Sequence, residues 1–189
     1  IFTEHLEDVI KQVPQNIISP ILKKLSTDSD FYFFSTFAES LANFPPEVTL
    51  PILEKLFTRP NFSVRETVAR ALAGFPPQVA LLLLKKLSTD PDWRVRSAAA
   101  RSLASFPTEK ALILLEKLSK DSEYNVRRAV AESLASFPPE TAIPILEKLS
   151  NDSDWTVRSA VAQSLASFPH ETVLPLLEKL YADSEPHVF

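Results

Sequence analysis

The chain has 189 residues, a net charge of −4 and no cysteine, and 45% of its residues are hydrophobic. It can therefore bury a sizeable core, and it has neither disulfides nor thiolate metal sites. The slightly acidic balance, without a long run of one sign, argues against nucleic acid and against an anionic membrane surface as partners. The longest apolar run, Val79 to Leu84, is far shorter than the roughly 20 residues that span a bilayer.

The balance of glycine and proline predicts an all-helical chain. One glycine stands against sixteen prolines, and the tight turns of β-hairpins depend on glycine. No signal peptide is recognisable, and the chain contains no methionine, even at position 1. We therefore expect a cytoplasmic protein, and we expect the sequence to be a piece of a longer or processed chain.

Self-similarity with a period of 31 residues dominates the sequence. Phe-Pro pairs mark the period, and they begin at Phe44, Phe75, Phe106, Phe137 and Phe168. The period frames five complete units, 14–44, 45–75, 76–106, 107–137 and 138–168, with partial units at 1–13 and 169–189. We expect all of them to form a single domain.

The first half of each unit predicts a helix that follows a proline-marked corner. In "PPETAIPILEKLS" the apolar residues recur at helical spacing. They are Ala142, Ile145, Leu146 and Leu149. Pro144 lies one turn inside this helix and should bend it. Leu82 and Ile113 occupy the same position in two other units, whose first helices should therefore be straighter.

The second half of each unit predicts a helix that begins at an acidic or amide residue. These N-terminal residues are Asp30, Asn61, Asp92, Glu123, Asp154 and Glu185. In "DWRVRSAAARSLASFP" the predicted core face consists of Val95, Ala98, Ala99, Leu103 and Phe106. The predicted solvent face consists of Arg94, Ser97, Arg101 and Ser105. Arg96, Ala100 and Ala104 lie between the two faces, on a flank that is small enough for the next unit to approach closely.

These residues resemble the short bacterial form of the HEAT repeat, with its signature D-x-D-x-x-V-R-x-x-A-A-x-x-L. The resemblance covers essentially the whole chain. Tetratricopeptide and ankyrin repeats have nearby periods, but their characteristic residues are missing. The resemblance implies a right-handed α-solenoid of stacked antiparallel helix pairs.

The resemblance also implies a hydrogen-bonded ladder between loop aspartates and helix arginines, which joins successive units. The matching aspartates are Asp28, Asp90, Asp121, Asp152 and Asp183, and the matching arginines are Arg65, Arg96, Arg127 and Arg158. Arg59 stands where an aspartate is expected, and Phe34 stands where an arginine is expected. We therefore expect a weaker ladder in the first complete unit and at the junction that follows it.

The sequence predicts no enzyme, no metal site and no cofactor. His5, His170 and His187 belong to different units, no pair of them has metal-ligand spacing, and no glycine-rich phosphate cradle is present. Serines such as Ser102 and glutamates such as Glu147 recur at the same position of successive units. A catalytic residue should instead be singular.

By analogy with the family, the solvent face of the second helices should line the concave side of the solenoid. Arg70, Arg94, Arg101 and Arg128 form a modest basic patch there, interrupted by Glu66 and Glu132. Two interpretations are open, a mixed solvated face and a site for an acidic segment of a partner protein. Nucleic acid is the third and least favoured, because phosphate binding usually needs many uncompensated positive charges.

Aromatic side chains raise two further alternatives. One aromatic follows the N-terminal residue of every second helix: Phe31, Phe62, Trp93, Tyr124 and Trp155. They form either a stacking ladder for a ligand or, as we prefer, wedges that cover loops between units. In the first complete unit, Tyr32 and Phe34 belong either to an exposed anchor for a partner or to a packing adjustment against an atypical neighbour.

Together these features predict a non-catalytic scaffold or adaptor for protein–protein interactions. Three alternatives remain, namely the sensor array of a bacterial signalling NTPase, a subunit similar to the phycobilin lyases, and nucleic-acid binding through the concave face. The expected partner is another protein. Self-association at the incomplete terminal units is a further expectation.

Overall fold

The computed structural model describes Leu41 and residues 45–182, except for the side chains at positions 46–48, 51 and 52. In this part the chain forms nine α-helices and no strand. The helices are α1 Pro46–Phe57, α2 Phe62–Ala71, α3 Pro77–Leu87, α4 Trp93–Leu103, α5 Thr108–Leu118, α6 Tyr124–Leu134, α7 Pro139–Leu149, α8 Trp155–Leu165 and α9 His170–Tyr181. A short 3₁₀ turn, Leu72–Gly74, follows α2. The predicted all-helical repeat fold is confirmed for these residues.

Two kinds of helix start alternate along the chain. Each odd-numbered helix, called a first helix below, has a proline at its N-cap, where the fixed φ angle suits a corner. Each even-numbered helix is called a second helix. Asn61, Asp92 and Asp154 cap α2, α4 and α8 by accepting a hydrogen bond of 2.9 Å from the backbone N–H two residues later. Glu123 precedes α6 without such a bond.

One continuous hydrophobic core runs through the described units. The side chains predicted to face it are buried on both helices of a unit: Ala142, Ile145, Leu146 and Leu149 on α7, and Val95, Ala98, Ala99, Leu103 and Phe106 on and after α4. These predictions are confirmed. The prediction for Ser97 is wrong, because the residue is only 2% exposed. A serine is short, and α4 is closely flanked by α2 and α6.

The second helices pack side by side at close range, so that α2, α4, α6 and α8 form one layer. Small buried residues permit this approach, since Ala69, Ala100 and Ala131 are fully buried. Three serine hydroxyls then donate to the backbone carbonyls of these alanines across successive junctions. The bonds run from Ser102 to Ala69 at 2.7 Å, from Ser133 to Ala100 at 3.0 Å and from Ser164 to Ala131 at 2.8 Å.

Arginine–aspartate pairs join the same units at their loops. In each pair Nε and Nη2 of the arginine donate to the two carboxylate oxygens at 2.6–3.0 Å. The pairs are Arg65 with Asp90, Arg96 with Asp121 and Arg127 with Asp152. Such two-pronged, charge-assisted bonds fix both distance and orientation. Each pair therefore holds the second helix of one unit against the loop of the next.

Each rung of this ladder also organises its own loops. Nη1 of Arg96 donates to the backbone carbonyls of Asp90 and Pro91 at 2.8 and 3.1 Å. The carboxylate of Asp121 accepts a further bond from the backbone N–H of Glu123 at 3.0 Å. One arginine thus ties together the two loops that flank it.

The ladder sets the ionisation of its members. The hydrogen bond to Asp121 raises the pKa of Arg96 above its ordinary value, and burial opposes this only in part. Burial alone would raise the pKa of Asp121, but bonds from Arg96 and from the N–H of Glu123 lower it below its ordinary value. The pKa of Asp152 is lowered in the same way, against burial, by Arg127 and by the N–H of Asp154. Both carboxylates are therefore fully charged at neutral pH.

The loop at Arg59 keeps the bonds between an arginine side chain and backbone carbonyls that the other loops have. Arg65 donates to the backbone carbonyls of Arg59 and Pro60 at 2.6 and 2.8 Å, as its counterparts do in their own loops. The inter-unit half of that rung would involve Phe34, which lies outside the described residues. The expected weakness of this junction stays a prediction.

Candidate binding surface

The solvent-facing side chains of α2, α4, α6 and α8 form what we call the second-helix surface. Arg70, Arg94, Arg101 and Arg128 all lie on it and are partly or largely exposed. Tyr32 and Phe34, the predicted aromatic anchor, lie outside the described residues.

Arg70 and Arg94 each contact a carboxylate close to them in the sequence, and Arg94 also contacts an aromatic ring of the preceding unit. Arg70 lies 3.4 Å from the carboxylate of Glu66, one helical turn earlier. Arg94 lies 3.4 Å from the capping carboxylate of Asp92. Its guanidinium also stacks on the ring of Phe62 in the preceding unit, 3.9 Å from the ring centroid. A cation on an aromatic face at this distance is attracted by the ring quadrupole, so Arg94 is held in place.

The other two arginines, from successive units, share one carboxylate. Arg128 donates through Nε to Oε1 of Glu132 at 2.8 Å, within α6. Arg101, on α4, donates through Nε to Oε2 of the same glutamate at 3.1 Å. The side chains of Arg101 and Arg128 are 50% and 47% exposed. Two half-exposed guanidinium groups therefore converge on a single negative charge.

A shallow cleft of about 180 Å³ lies beside this triad. Arg128 lines one side of it, and Trp155, Thr156, Ser159, Ala160 and Gln163 of α8 line the rest. The ring of Trp155 is partly exposed. The cleft thus offers a cation, an aromatic surface and several side chains that can form hydrogen bonds.

The aromatic residues that begin the second helices are partly covered. Phe62 and Trp93 pack against the core cluster, whereas Tyr124 and Trp155 are more exposed. Phe62 also supports Arg94 of the next unit. These positions fit wedges between units, and the exposed ring of Trp155 adds surface to the cleft.

Arg158 is the ladder arginine nearest the C-terminal end of the described residues. Arg158 on α8 donates through Nη1 to the backbone carbonyl of Asp152 at 2.8 Å, as Arg96 does in its own loop. Its expected carboxylate partner, Asp183, lies outside the described residues. That inter-unit pair stays a prediction.

In the described part of the chain, the histidine and carboxylate side chains form no group of three or more that could hold a metal ion. No helix among residues 45–182 combines the length and apolar character that crossing a membrane requires.

Sequence patterns located the arginines but not their contacts. The shared carboxylate of Glu132, the stacking of Arg94 on Phe62 and the serine–carbonyl bonds all join residues 31 to 33 positions apart. The period of the repeat was the available signal, because it places equivalent positions of neighbouring units side by side. Only the packing of the helices shows which of those neighbours touch.

Comparison with known proteins identifies the fold and the family. Two overlapping stretches, residues 50–124 and 112–189, match the family model described as HEAT repeats. No protein with a curated description matches the sequence.

Three solved structures illustrate the shared architecture. The X-ray structure of YibA from Escherichia coli has a TM-score of 0.66 at 18% identity and covers 98% of this chain and 70% of that protein. The complex of CpcE and CpcF of phycocyanin lyase from Nostoc sp. PCC7120 has a TM-score of 0.58 at 21% identity, with 94% and 73% covered. A designed armadillo repeat protein in complex with the peptide (KR)4 has a TM-score of 0.55 at 20% identity, with 89% and 94% covered.

At these identities the similarity of the three structures concerns the fold alone, a solenoid of helical repeats. The family model matches well over half of the chain. The protein therefore belongs to the HEAT-repeat family.

Proposed function

We propose that the chain is a non-catalytic protein-interaction scaffold whose second-helix surface binds an acidic segment of a partner protein. The observation that carries this proposal is the convergence of Arg101 and Arg128, from two successive units, on the single carboxylate of Glu132. A pair of guanidinium groups placed around one carboxylate is a geometry suited to holding carboxylates in general.

The charge balance around Glu132 favours an additional anion. Two positive groups share one negative group, so the triad keeps a net positive charge. Each guanidinium has five N–H donors, and the bonds to Glu132 use only some of them. The donors that remain can bind a carboxylate of a partner, either beside Glu132 or in its place.

The cleft next to Arg128 supports a peptide as the ligand. A side chain that follows an acidic residue could lie against the ring of Trp155, and the hydroxyl and amide groups of α8 could bind its backbone. Aromatic residues and arginine are the residue types most often important for affinity at protein interfaces.

A designed armadillo repeat protein of similar fold was solved in complex with the basic peptide (KR)4. Because the second-helix surface here presents arginines, we expect it to prefer a peptide of the opposite charge. Specificity lies in the side chains that the scaffold presents.

The test compares two labelled peptides of opposite charge, (ES)4 and (KR)4, by fluorescence anisotropy. We expect the protein to bind (ES)4 more tightly than (KR)4. The double variant Arg101→Ala/Arg128→Ala should weaken (ES)4 binding at least tenfold, since about 1.4 kcal/mol corresponds to that factor. Glu132→Gln should strengthen binding, because it removes the competing carboxylate.

The matched control is Lys148→Ala, which removes an exposed cation from a first helix and should leave (ES)4 binding unchanged. The proposal fails if neither peptide binds, if both bind equally, or if the double variant binds (ES)4 as the wild type does. Circular dichroism of each variant distinguishes lost binding from lost structure.

A further inference from the structure

The first helices α3 and α5 depart from the other units at an exposed position. Where α1, α7 and α9 carry Pro51, Pro144 and Pro175, these two helices carry Leu82 and Ile113. The two side chains are 53% and 71% exposed. Two neighbouring units therefore present large apolar side chains to water at equivalent positions.

A second departure concerns charge. Lys86 pairs with Glu54 of the preceding unit at 3.6 Å, and Lys148 pairs with Glu116 in the same register, also at 3.6 Å. At the junction between these two, the repeat places Lys85 at the position of the glutamate, facing Lys117. The two lysines are exposed, and like charges on neighbouring helices repel each other.

The absence of carboxylates from one helix reinforces this charge. Each of the other first helices in the described part carries two glutamates, whereas α3 carries Lys85 and Lys86 and no carboxylate. Lys86 and Glu116 are each paired with a neighbouring unit. Glu109 lies one turn before Ile113, and the cation Lys110 follows it directly.

The exposed apolar residues and the two lysines lie within one helical turn of each other. Lys85 follows Leu82 by three positions, and Lys117 follows Ile113 by four, so each lysine lies on the same side of its helix as the apolar residue. Single exposed apolar residues are common on protein surfaces. Here two of them adjoin two lysines, and neither departure improves the stability of the stack.

We propose that Leu82, Lys85, Ile113 and Lys117 form a docking surface, the Leu82–Ile113 patch, for a partner segment in which apolar side chains are flanked by carboxylates. The two exposed apolar side chains gain by leaving water, and the carboxylates relieve the repulsion between the two lysines. The patch lies on the first helices, so it is independent of the second-helix surface proposed above.

The repeat supplies its own test variants. Lys85→Glu restores the glutamate that other units have and places a carboxylate opposite Lys117, so stability should be unchanged or slightly higher. Ile113→Ser removes an exposed apolar side chain, and it should also leave the melting temperature unchanged. Both substitutions should weaken docking at least tenfold, because one reverses the charge and the other removes the apolar anchor.

The experiment selects phage-displayed random peptides on the wild-type chain and counter-selects them on Lys85→Glu. We expect enriched peptides that combine acidic and apolar residues. Their affinity should fall at least tenfold with Lys85→Glu and with Ile113→Ser, and it should not change with Arg101→Ala/Arg128→Ala.

Other outcomes overturn the inference. Either no peptide is enriched on the wild type over the Lys85→Glu variant, or the enriched peptides bind both patch variants as tightly as the wild type. If affinity depends only on Arg101 and Arg128, the second-helix surface is the binding site and the Leu82–Ile113 patch is not. The result for one surface thus does not decide the other.

Discussion

The two layers of the solenoid are joined across units in different ways. Second helices approach closely through buried alanines, and serine–carbonyl bonds and the arginine–aspartate ladder connect them. First helices lie farther apart, and their polar links across units, such as Lys148 with Glu116 at 3.6 Å, are largely exposed. Exposed pairs of this kind contribute little to stability.

This difference suggests where the protein can change and where it cannot. Contacts in the second-helix layer and in the loops carry the cohesion between units, so the buried positions there are constrained. The exposed positions of the first helices tolerate exchanges as different as proline for Ile113. Surfaces for partners can therefore diversify on the outside of the layers while the junctions stay the same.

Acid should produce the largest effect, because it removes the charges of Asp121 and Asp152 at two junctions together. The pKa values of Asp121 and Asp152 are lowered below the ordinary value of 3.8 in the folded chain. Their stabilising contribution is therefore complete above that value and is lost as the pH falls through the folded pKa. Urea unfolding between pH 7 and pH 2 should show a steep loss of stability below about pH 4.

The control for this experiment is the variant Asp121→Asn/Asp152→Asn. It should be less stable at neutral pH, and its stability should depend less on pH in the acid range than that of the wild type. Identical pH dependence of the two proteins would show that the ladder is not responsible.

A single ladder rung should have the next largest effect. Asp121→Ala leaves the guanidinium of Arg96 without its carboxylate in a nearly buried position. Breaking a buried ion pair in this way costs about 3 kcal/mol. Urea unfolding should measure this loss, and Arg96→Ala/Asp121→Ala should lose less than the sum of its single variants. A loss below 1 kcal/mol for Asp121→Ala would contradict a cohesive role.

A serine bond should have a smaller effect than a ladder rung, and an exposed pair between first helices should have the smallest, so the two variants compare the layers directly. Ser102→Ala removes a buried bond between second helices, which should cost about 1 kcal/mol. Lys148→Ala removes an exposed pair between first helices, which should cost at most about 0.5 kcal/mol. Ser105→Ala, at an exposed position of the same unit, controls for the loss of a hydroxyl. Equal losses of stability for Ser102→Ala and Lys148→Ala would show that the two layers are joined equally strongly.

Much of the fold could be predicted because each unit repeats a local pattern. Helical spacing of apolar residues identified both helices, and the capping residues Asn61, Asp92 and Asp154 marked where second helices begin. The burial of Ser97 could not be predicted in the same way. Its exposure depends on how closely α2 and α6 flank α4, and the pattern of one helix does not encode that distance.

The candidate site was predictable in composition but not in geometry. The sequence alone determined that Arg70, Arg94, Arg101 and Arg128 lie on the second-helix surface, because helical periodicity decides which side of a helix faces away from the core. Only the tertiary structure decided that Arg101 and Arg128 share Glu132 and that Arg94 stacks on Phe62. Those contacts depend on the offset and the distance between neighbouring units. The offset and the distance follow from the packing of small buried residues across each junction, not from the preferences of any single helix.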